Sequence, residues 1–275
     1  MKLIHISDIH LTAPGERMGG LNPHRRFAQA LDDVRAQHSD ATRIIITGDL
    51  THWGEPAAYA ALADALTDVP CPVRLLIGNH DDRTAFLSVF PDHPKDHSGF
   101  INYAETLDTT RFIYLDTNAW RTHAGHLCEA RRDWLENELK DCTRARLFMH
   151  HNAMPLGLPA EDKIALVPED RAPLAELLST YRDRIEYIHF GHIHAPVHGT
   201  WCGIPFASVS STGNQSLPDL TDQELLHSAP MAPSYAVILT SDGGTIIHDI
   251  PFTWDGPVFS AGTAWEDWAK PVAIE

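Results

Sequence analysis

Short apolar runs recur along the first 190 residues of the chain, and polar residues follow most of them. Runs of this length and composition predict strands that are buried on both faces of a sheet. They lie at residues 3–7, 43–47, 73–77, 111–115, 146–149 and 185–190. Residues 99–106 are the predicted partner strand of 111–115.

Segments with a helical spacing of apolar residues separate these strands. They predict helices at 26–37, 55–66, 128–139 and 172–181. Between residues 86 and 96 the pattern loosens and predicts no element. Strands that alternate with helices favour an α/β fold, with a parallel sheet and right-handed crossovers.

The last third of the chain follows a different pattern. The apolar runs 204–209, 235–239 and 245–250 have no helices between them, and we expect them to complete a second sheet. We therefore expect one large domain at residues 1–250, followed by a tail at 251–275. The tail either packs onto this domain or forms a subunit interface in a homo-oligomer. Its aromatic residues are Phe252, Trp254, Phe259, Trp265 and Trp268.

The charge and cysteine content narrow the class of protein. A formal net charge of −16 argues against a nucleic-acid partner, because non-specific binding needs a broad basic surface. No apolar run approaches the roughly 18 residues of a membrane-spanning helix, and the N-terminus shows no signal peptide. The four cysteines lack metal-binding spacing. We expect them to stay reduced, and the protein to be cytoplasmic.

The tetrapeptide Gly78-Asn79-His80-Asp81 follows the predicted strand 73–77. Gly, Asn and Asp all favour turns, so a simple turn is one interpretation. The other is a binding site, because ligands of open α/β sheets bind at the carboxyl ends of the strands.

Polar residues that leave four other predicted strands favour the binding site. They are Asp8 and His10, Asp49, His150, and His192 and His194. In an extended chain alternate residues face the same side, so we expect Asp8 and His10 to converge, and likewise His192 and His194. Asp, Asn and His side chains without thiolates suit ions such as Zn, Mn or Fe. The set exceeds one tetrahedral site, and two ions that share a carboxylate would use it fully.

Five motifs resemble, in order, those of the calcineurin-like metallophosphoesterase superfamily over residues 1–200. They are Asp8-Ile9-His10, Gly48-Asp49, Gly78-Asn79-His80-Asp81, His150 and Gly191-His192-Ile193-His194. Further segments resemble the bacterial cyclic-nucleotide and glycerophosphodiester phosphodiesterases of that superfamily. They are the opening 5–10, Gly15-Glu16-Arg17, Asp81-Asp82 and Pro155-Leu156-Gly157. Where that branch often has His-His-Pro-Pro, this chain has His150-His151-Asn152-Ala153, which leaves the substrate open.

The resemblance implies a four-layer αββα sandwich of two mixed β-sheets flanked by helices. It also implies two divalent or trivalent metal ions, Fe, Mn or Zn. One ion would be held by Asp8, His10, Asp49 and His194, and the other by Asp49, Asn79, His150 and His192. His80 is expected to contact phosphate or to donate a proton, and Asp81 to hold the His80 imidazole. Asn79, His80 and His151 are the expected substrate contacts, with packing as the alternative for His151.

The resemblance further implies a phosphodiesterase in which a hydroxide between the metal ions attacks phosphorus. The expected substrate is a small diester, either a glycerophosphodiester or a 3′,5′-cyclic nucleotide. One alternative is a phospholipase C-like enzyme, whose apolar groove would come from Trp53, Trp120, Met154, Leu156 and Leu158. Another is a non-catalytic scaffold on the same fold. Residues 153–168, rich in Pro and Gly, are either a lid or a passive surface loop.

Overall fold

Two β-sheets packed face to face form the centre of the computed structural model. It describes residues 1–221, 224–254, 256–258, 260 and 262–263. In chain order the helices and strands are β1 (Lys2–Ile6), α1 (Pro23–Gln37), β2 (Arg43–Thr47), α2 (Pro56–Ala65), β3 (Val73–Leu76), α3 (Arg83–Val89), β4 (Tyr103–Leu107), β5 (Thr110–Leu115), α4 (Glu129–Lys140), β6 (Ala145–Met149), α5 (Pro159–Asp162), α6 (Pro168–Thr180), β7 (Ile185–Phe190), β8 (His198–Trp201), β9 (Ile204–Ser208), β10 (Gln215–Ser216), β11 (Ser228–Ala229), β12 (Ser234–Ser241) and β13 (Gly244–Pro251).

The first sheet has the order β13-β12-β1-β2-β3. Strands β1, β2 and β3 are parallel, as the alternation with helices predicts. The hairpin β12-β13 adds to it because β12 pairs antiparallel with β1. The expectation that the runs at 235–239 and 245–250 join the second sheet is therefore wrong. An edge of β1 was open to pairing, and local sequence patterns do not reveal which edge a distant strand meets.

The second sheet has the order β4-β5-β6-β7-β9-β8. Its inner strands β5, β6, β7 and β9 are parallel, and the outer strands β4 and β8 pair antiparallel with their neighbours. The run at 204–209 thus does join this sheet, as β9. Both sheets are mixed, and the carboxyl ends of their parallel strands carry the predicted site residues.

Helices cover the outer faces of both sheets. The apolar stripe of α1, which includes Phe27 and Leu31, is buried in one cluster with the residues of β1 and β2. On the other side, Leu135 of α4 and Leu178 of α6 are buried together with alternate residues of β6. Between the sheets, the Phe148 ring lies 6.2 Å from the ring of His5. The order helix, sheet, sheet, helix confirms the predicted four-layer αββα sandwich.

Helix α3 occupies part of the segment for which the pattern predicts no element. Its first turn is capped by Asp82, whose carboxylate accepts a hydrogen bond from the Ala85 amide at 2.7 Å. Only Phe86 of this short helix is buried, so a helical period could not be recognised. In the predicted tail, Phe252 packs against the hydrophobic cluster that contains the residues of α1, β1 and β2, and Trp254 is 70 % exposed. Phe259, Trp265 and Trp268 lie outside the described residues.

None of the helices that the structure describes is both long enough and apolar enough to cross a membrane. The four cysteines, at positions 71, 128, 142 and 202, are free thiols.

Candidate metal centre

The loops that follow β1, β2, β3, β6 and β7 bring seven predicted ligands together at one edge of the sandwich. Five of these side chains are buried, and Asn79 and His194 are half-buried. Ligand atoms of Asp8, His10, Asp49 and His194 all lie within 4.8 Å of one another, and so do those of His150, His151 and His192. Carboxylates and imidazoles therefore form a cluster at the edge of the sandwich that the sequence predicts.

The backbone is strained where these residues lie. Eight non-glycine residues in the described part of the chain have positive φ, and five of them are predicted ligands. They are Asp8, His10, Asp49, His192 and His194, with φ between 47° and 69°. Such conformations are unfavourable for most side chains and cluster at functional sites.

The positive φ values also show that one expectation, about how these side chains converge, is wrong. Residues 8 and 10, and residues 192 and 194, do not converge by alternating along a strand. β1 ends at Ile6 and β7 ends at Phe190, and the chain then turns through left-handed conformations. The side chains reach one point because the backbone bends at each ligand.

Two glycines allow the strand ends to approach closely. A Cβ atom on Gly191 would lie 1.8 Å from Ser7 Oγ, and one on Gly78 would lie 2.2 Å from Asp49 Oδ1. Any side chain at either position would displace a neighbour in the cluster. Steric crowding thus explains why glycine occupies these two motif positions, independently of turn formation.

One half of the cluster centres on His10 and His194. Their Nε2 atoms lie 3.1 Å apart. His10 Nε2 is 3.6 Å from Asp49 Oδ2, and His194 Nε2 is 3.4 Å from Asp8 Oδ1. Four potential ligand atoms therefore face a common point.

The other half centres on His150. Its Nε2 atom lies 3.1 Å from Asn79 Oδ1 and 3.3 Å from Asp49 Oδ1. The His192 ring is 5.1 Å from the His150 ring. Asp49 thus points one carboxylate oxygen at each half of the cluster.

In three of the imidazoles, one ring nitrogen bonds to a backbone carbonyl, which fixes the orientation of the ring. The pairs are His150 Nδ1 with Thr47 O at 2.8 Å, His192 Nε2 with Ile164 O at 3.1 Å, and His194 Nδ1 with Asn214 O at 2.7 Å. A carbonyl only accepts hydrogen bonds, so the bonded nitrogen carries the proton. The other nitrogen of each neutral ring then has a free lone pair, as a metal-ligating imidazole requires.

The electrostatics of the cluster favour a positive charge at its centre. Burial lowers the pKa of His150, but the carboxylates of Asp49 and Asp8 outweigh this effect and raise the pKa to about 9. Burial opposes ionisation of Asp49, yet the surrounding imidazoles hold its pKa well below the usual range. Ionised carboxylates and imidazole lone pairs around one point are a donor set that fits two metal ions.

His80 lies beside the cluster with one nitrogen available. Its backbone N–H donates to Asp49 Oδ1 at 2.9 Å, and its Nδ1 donates to the His52 carbonyl at 2.9 Å. The His52 ring stacks on the His80 ring, with centroids 5.1 Å apart. The ring lines the cavity, and its Nε2 has no hydrogen-bond partner in the described part of the protein.

Asp81 does not hold the His80 imidazole, and that expectation is wrong. Its carboxylate instead accepts hydrogen bonds from the backbone amides of Leu50, Thr51 and Gly78, and from the Tyr59 hydroxyl. These bonds tie the loop of Asp49 to the loop of Asn79. Burial and the nearby Asp49 raise the pKa of Asp81 to about 6.

His151 is fully buried, and neighbouring groups bond both of its ring nitrogens. Nδ1 contacts the Thr117 hydroxyl at 2.7 Å, and Nε2 contacts the His123 carbonyl at 3.1 Å. The ring is not among the residues that line the cavity above the cluster. The structure therefore favours packing over substrate contact for this residue.

A cavity of about 270 Å³ opens above the cluster. Part of its wall comes from residues to which the sequence assigns no chemical role. Residues of this wall include Glu161, Ile164, Asn214, Ser216 and His227. The candidate lid 153–168 thus borders the cavity through Glu161 and Ile164. Asn214 and Ser216 carry no recognisable sequence signal, because they follow no predicted strand and form no motif.

The apolar groove of the phospholipase alternative is not assembled. Met154 and Leu158 are each only 4 % exposed and belong to the interior. Trp53 and Trp120 are exposed, by 66 % and 75 %. Neither these four residues nor Leu156 line the cavity above the cluster.

Comparisons with known proteins agree with the motifs. The family model for calcineurin-like phosphoesterases matches residues 1–196. A probable cyclic nucleotide phosphodiesterase of Rhodopseudomonas palustris is 36 % identical over 265 residues, which covers 94 % of this chain and 96 % of that protein. A glycerophosphodiester phosphodiesterase of Enterobacter lignolyticus is 28 % identical over 200 residues, which covers 70 % of this chain and 71 % of that protein.

Among solved structures, a purple acid phosphatase from yellow lupin seeds is similar with a TM-score of 0.61. The match covers 94 % of this chain and 52 % of the phosphatase, at 14 % sequence identity. At this identity the similarity concerns the fold, and it agrees with the two-sheet sandwich.

Proposed function

The chain belongs to the calcineurin-like phosphoesterase family, and from this we propose that it is a metal-dependent phosphodiesterase that hydrolyses a small phosphodiester. The substrate is a 3′,5′-cyclic nucleotide or a glycerophosphodiester, as the names of its bacterial relatives suggest. The observation that carries this proposal is the convergence of Asp, Asn and His side chains from the ends of five strands, with a strained backbone at the ligands that follow β1, β2 and β7.

The geometry of the two halves supports the assignment of ligands that the resemblance implies. Asp8, His10 and His194 would hold one ion, and Asn79, His150 and His192 the other. Asp49 would bridge them, because its two oxygens face different imidazoles, at 3.6 Å and 3.3 Å. The donor set accepts Fe, Mn or Zn, and the identity of the ions stays a prediction.

The metal ions, when bound, would polarise the phosphoryl oxygens and lower the pKa of a coordinated water. The protein supplies positioning and proton transfer. His80 keeps its ring at the cavity through the His52 carbonyl, so its Nε2 is available to a phosphate oxygen or to the departing alkoxide. Asn79 is oriented by its amide nitrogen, which contacts His123 Nδ1 at 2.9 Å and so turns its oxygen toward His150.

The size of the cavity supports a small substrate over a phospholipid. A volume of about 270 Å³ lies just below the range of roughly 300–1,000 Å³ that is usual for small-molecule sites. Acyl chains would need an apolar groove, and the residues expected to form one do not line this cavity. The cytoplasmic location and the homo-oligomer stay predictions.

A hydrolysis screen of the Mn-reconstituted protein tests this function. The substrates are bis(p-nitrophenyl) phosphate, p-nitrophenyl phosphate, 3′,5′-cyclic AMP, glycerophosphocholine and phosphatidylcholine. We expect diester turnover that exceeds monoester turnover and that disappears with a chelator. Faster turnover of phosphatidylcholine than of either small diester would contradict the proposed substrate class. No turnover of any substrate by protein with two bound metal ions would support the non-catalytic scaffold.

A further inference from the structure

A buried carboxylate, Glu161 of α5, lies in the wall of the cavity above the cluster. The residue is 5 % exposed, and it lines the same cavity as His80 and His194. It belongs to none of the groups of described His and acidic residues whose ligand atoms converge within 4.8 Å. Glu161 is therefore part of the binding cavity without being part of the metal cluster.

The carboxylate of Glu161 has few partners within the protein. Oε1 accepts a hydrogen bond from the Ser216 hydroxyl at 3.0 Å. No lysine, arginine or histidine in the described ranges forms an ion pair with it, and nearby Lys163 lies 3.8 Å from Glu224 instead. An ionised carboxylate can accept about four hydrogen bonds. Oε2 has no donor in the described part of the protein and is not a fully buried atom, so it is open to a donor that enters the cavity.

Glu161 is held at a fixed position relative to the predicted metal ligands. Ser216 donates its backbone N–H to the His194 carbonyl at 3.2 Å and its hydroxyl to Glu161. On the other side, the Ile164 amide donates to the Glu161 carbonyl at 3.0 Å, while the Ile164 carbonyl contacts His192 Nε2. A carboxylate held at a fixed distance from the metal ligands can select substrates in which a second polar group lies at the matching distance from the phosphate.

Charge decides what this group recognises. The phosphate of a diester is anionic, so the Glu161 carboxylate repels it. The complementary partner is a hydrogen-bond donor, and the donors of a small diester lie in its alcohol portions. Apart from the N–H groups of a nucleobase, they are the hydroxyls of glycerol or ribose and the amino group of an amino alcohol.

We propose that Glu161 is a specificity residue that accepts a hydrogen bond from a hydroxyl or amino group on the alcohol portion of the substrate. The inference rests on the proposed phosphodiesterase function and adds the requirement that the alcohol portion of the diester carries such a donor. A site built around such a bond disfavours analogues that lack the donor, because the buried acceptor then stays unpaired.

Two pairs of substrates that differ in one donor test the proposal. 3′,5′-Cyclic AMP and its 2′-deoxy analogue differ in a ribose hydroxyl. Glycerophosphoethanolamine and glycerophosphocholine differ in the donors on nitrogen. We expect the wild-type protein to prefer the donor-bearing member of at least one pair by about tenfold or more in kcat/KM. In Glu161→Gln and Glu161→Ala this ratio should fall toward one.

Glu224→Gln is the matched control, because Glu224 is an 87 % exposed acid of the same region and does not line the cavity. It should keep the wild-type ratio. Calorimetric binding of adenosine 5′-monophosphate and its 2′-deoxy analogue gives a second readout for the ribose hydroxyl.

Three outcomes separate the possible failures. A purely structural role for Glu161 would lower kcat/KM for both members of a pair equally and leave the ratio unchanged, which would overturn the proposal. Absence of any preference in the wild-type protein would also overturn it. Absence of all diester turnover, including that of bis(p-nitrophenyl) phosphate, would instead refute the proposed function on which the inference rests.

Discussion

At the scale of single residues, the carboxylate of Asp49 faces both halves of the cluster. Oδ2 lies 3.6 Å from His10 Nε2, and Oδ1 lies 3.3 Å from His150 Nε2. We expect Asp49→Asn to reduce metal content from two ions to one or none, because an amide offers one oxygen and no charge. Asn also tolerates the positive φ of this position, so the backbone need not rearrange.

Metal analysis of the purified protein measures this effect. Asp40→Asn is the control, since Asp40 is a 69 % exposed acid that pairs with Lys2 far from the cluster. Two tightly bound ions in Asp49→Asn would contradict the bridging role.

His80 should affect turnover without affecting metal content. Its ring does not belong to the group of converging ligand atoms in either half of the cluster, although it forms a third group with His10 and His52 at the same limit of 4.8 Å. We expect His80→Ala to keep both ions and to lower kcat for the diester by roughly 10²- to 10⁴-fold, the usual range for a lost general acid. Steady-state kinetics with metal analysis on the same sample measures both quantities. Unchanged kcat would remove His80 from the reaction.

At the scale of elements, Asp81 joins two loops that carry predicted ligands. Its five bonds from Leu50, Thr51, Gly78 and Tyr59 leave buried donors unpaired when the carboxylate is removed. We expect Asp81→Ala to lower the free energy of unfolding by about 3 kcal/mol or more. Urea denaturation of metal-depleted protein measures this loss without a contribution from bound metal ions.

The neighbouring residue provides the control. Asp82 caps α3 through one bond to the Ala85 amide, and loss of such a cap costs about 1 kcal/mol. An equal effect of Asp82→Ala and Asp81→Ala would show that Asp81 does no more than an ordinary cap.

The approach of β7 to β1 gives a second prediction at this scale. A methyl group on Gly191 would lie 1.8 Å from Ser7 Oγ and 2.7 Å from Asp8 Oδ2. We expect Gly191→Ala to weaken metal binding at the half that contains Asp8, measured by titration of the metal-depleted protein. Gly243→Ala is the control, because a Cβ there meets no atom closer than 3.5 Å. Metal affinity equal to the wild type would show that the two strand ends have room to separate.

At the scale of the whole molecule, the cluster links the two sheets. Asp8 and Asp49 follow strands of the first sheet, while His150 and His192 follow strands of the second. Metal ions that bind all four should stabilise the folded state as ligands do, by about 4 kcal/mol at a thousandfold excess over Kd. We therefore expect a chelator to lower Tm and added Mn to restore it, as measured by calorimetry. A Tm that does not change on chelation of a metal-loaded sample would contradict this linkage.

The sequence by itself determined the buried parallel strands and the position of the site. Apolar runs with helices between them specify buried parallel strands, and the polar residues after Ile6, Thr47, Leu76, Met149 and Phe190 follow from where each strand ends. These are local signals, because burial on both faces and strand length are encoded in consecutive residues. The family motifs added the ligand set for the same reason, since each motif lies within a few residues of one strand end.

Only the tertiary structure decided how these groups are used. Asp81 bonds to Leu50 and Tyr59, which are distant in sequence, and the neighbouring imidazole of His80 is held by His52 instead. Glu161 and Ser216 meet at the cavity although 55 positions separate them. The hairpin β12-β13 pairs with β1 across almost the whole chain. Contacts of this range depend on how the two sheets pack, and no local pattern of side chains encodes that packing.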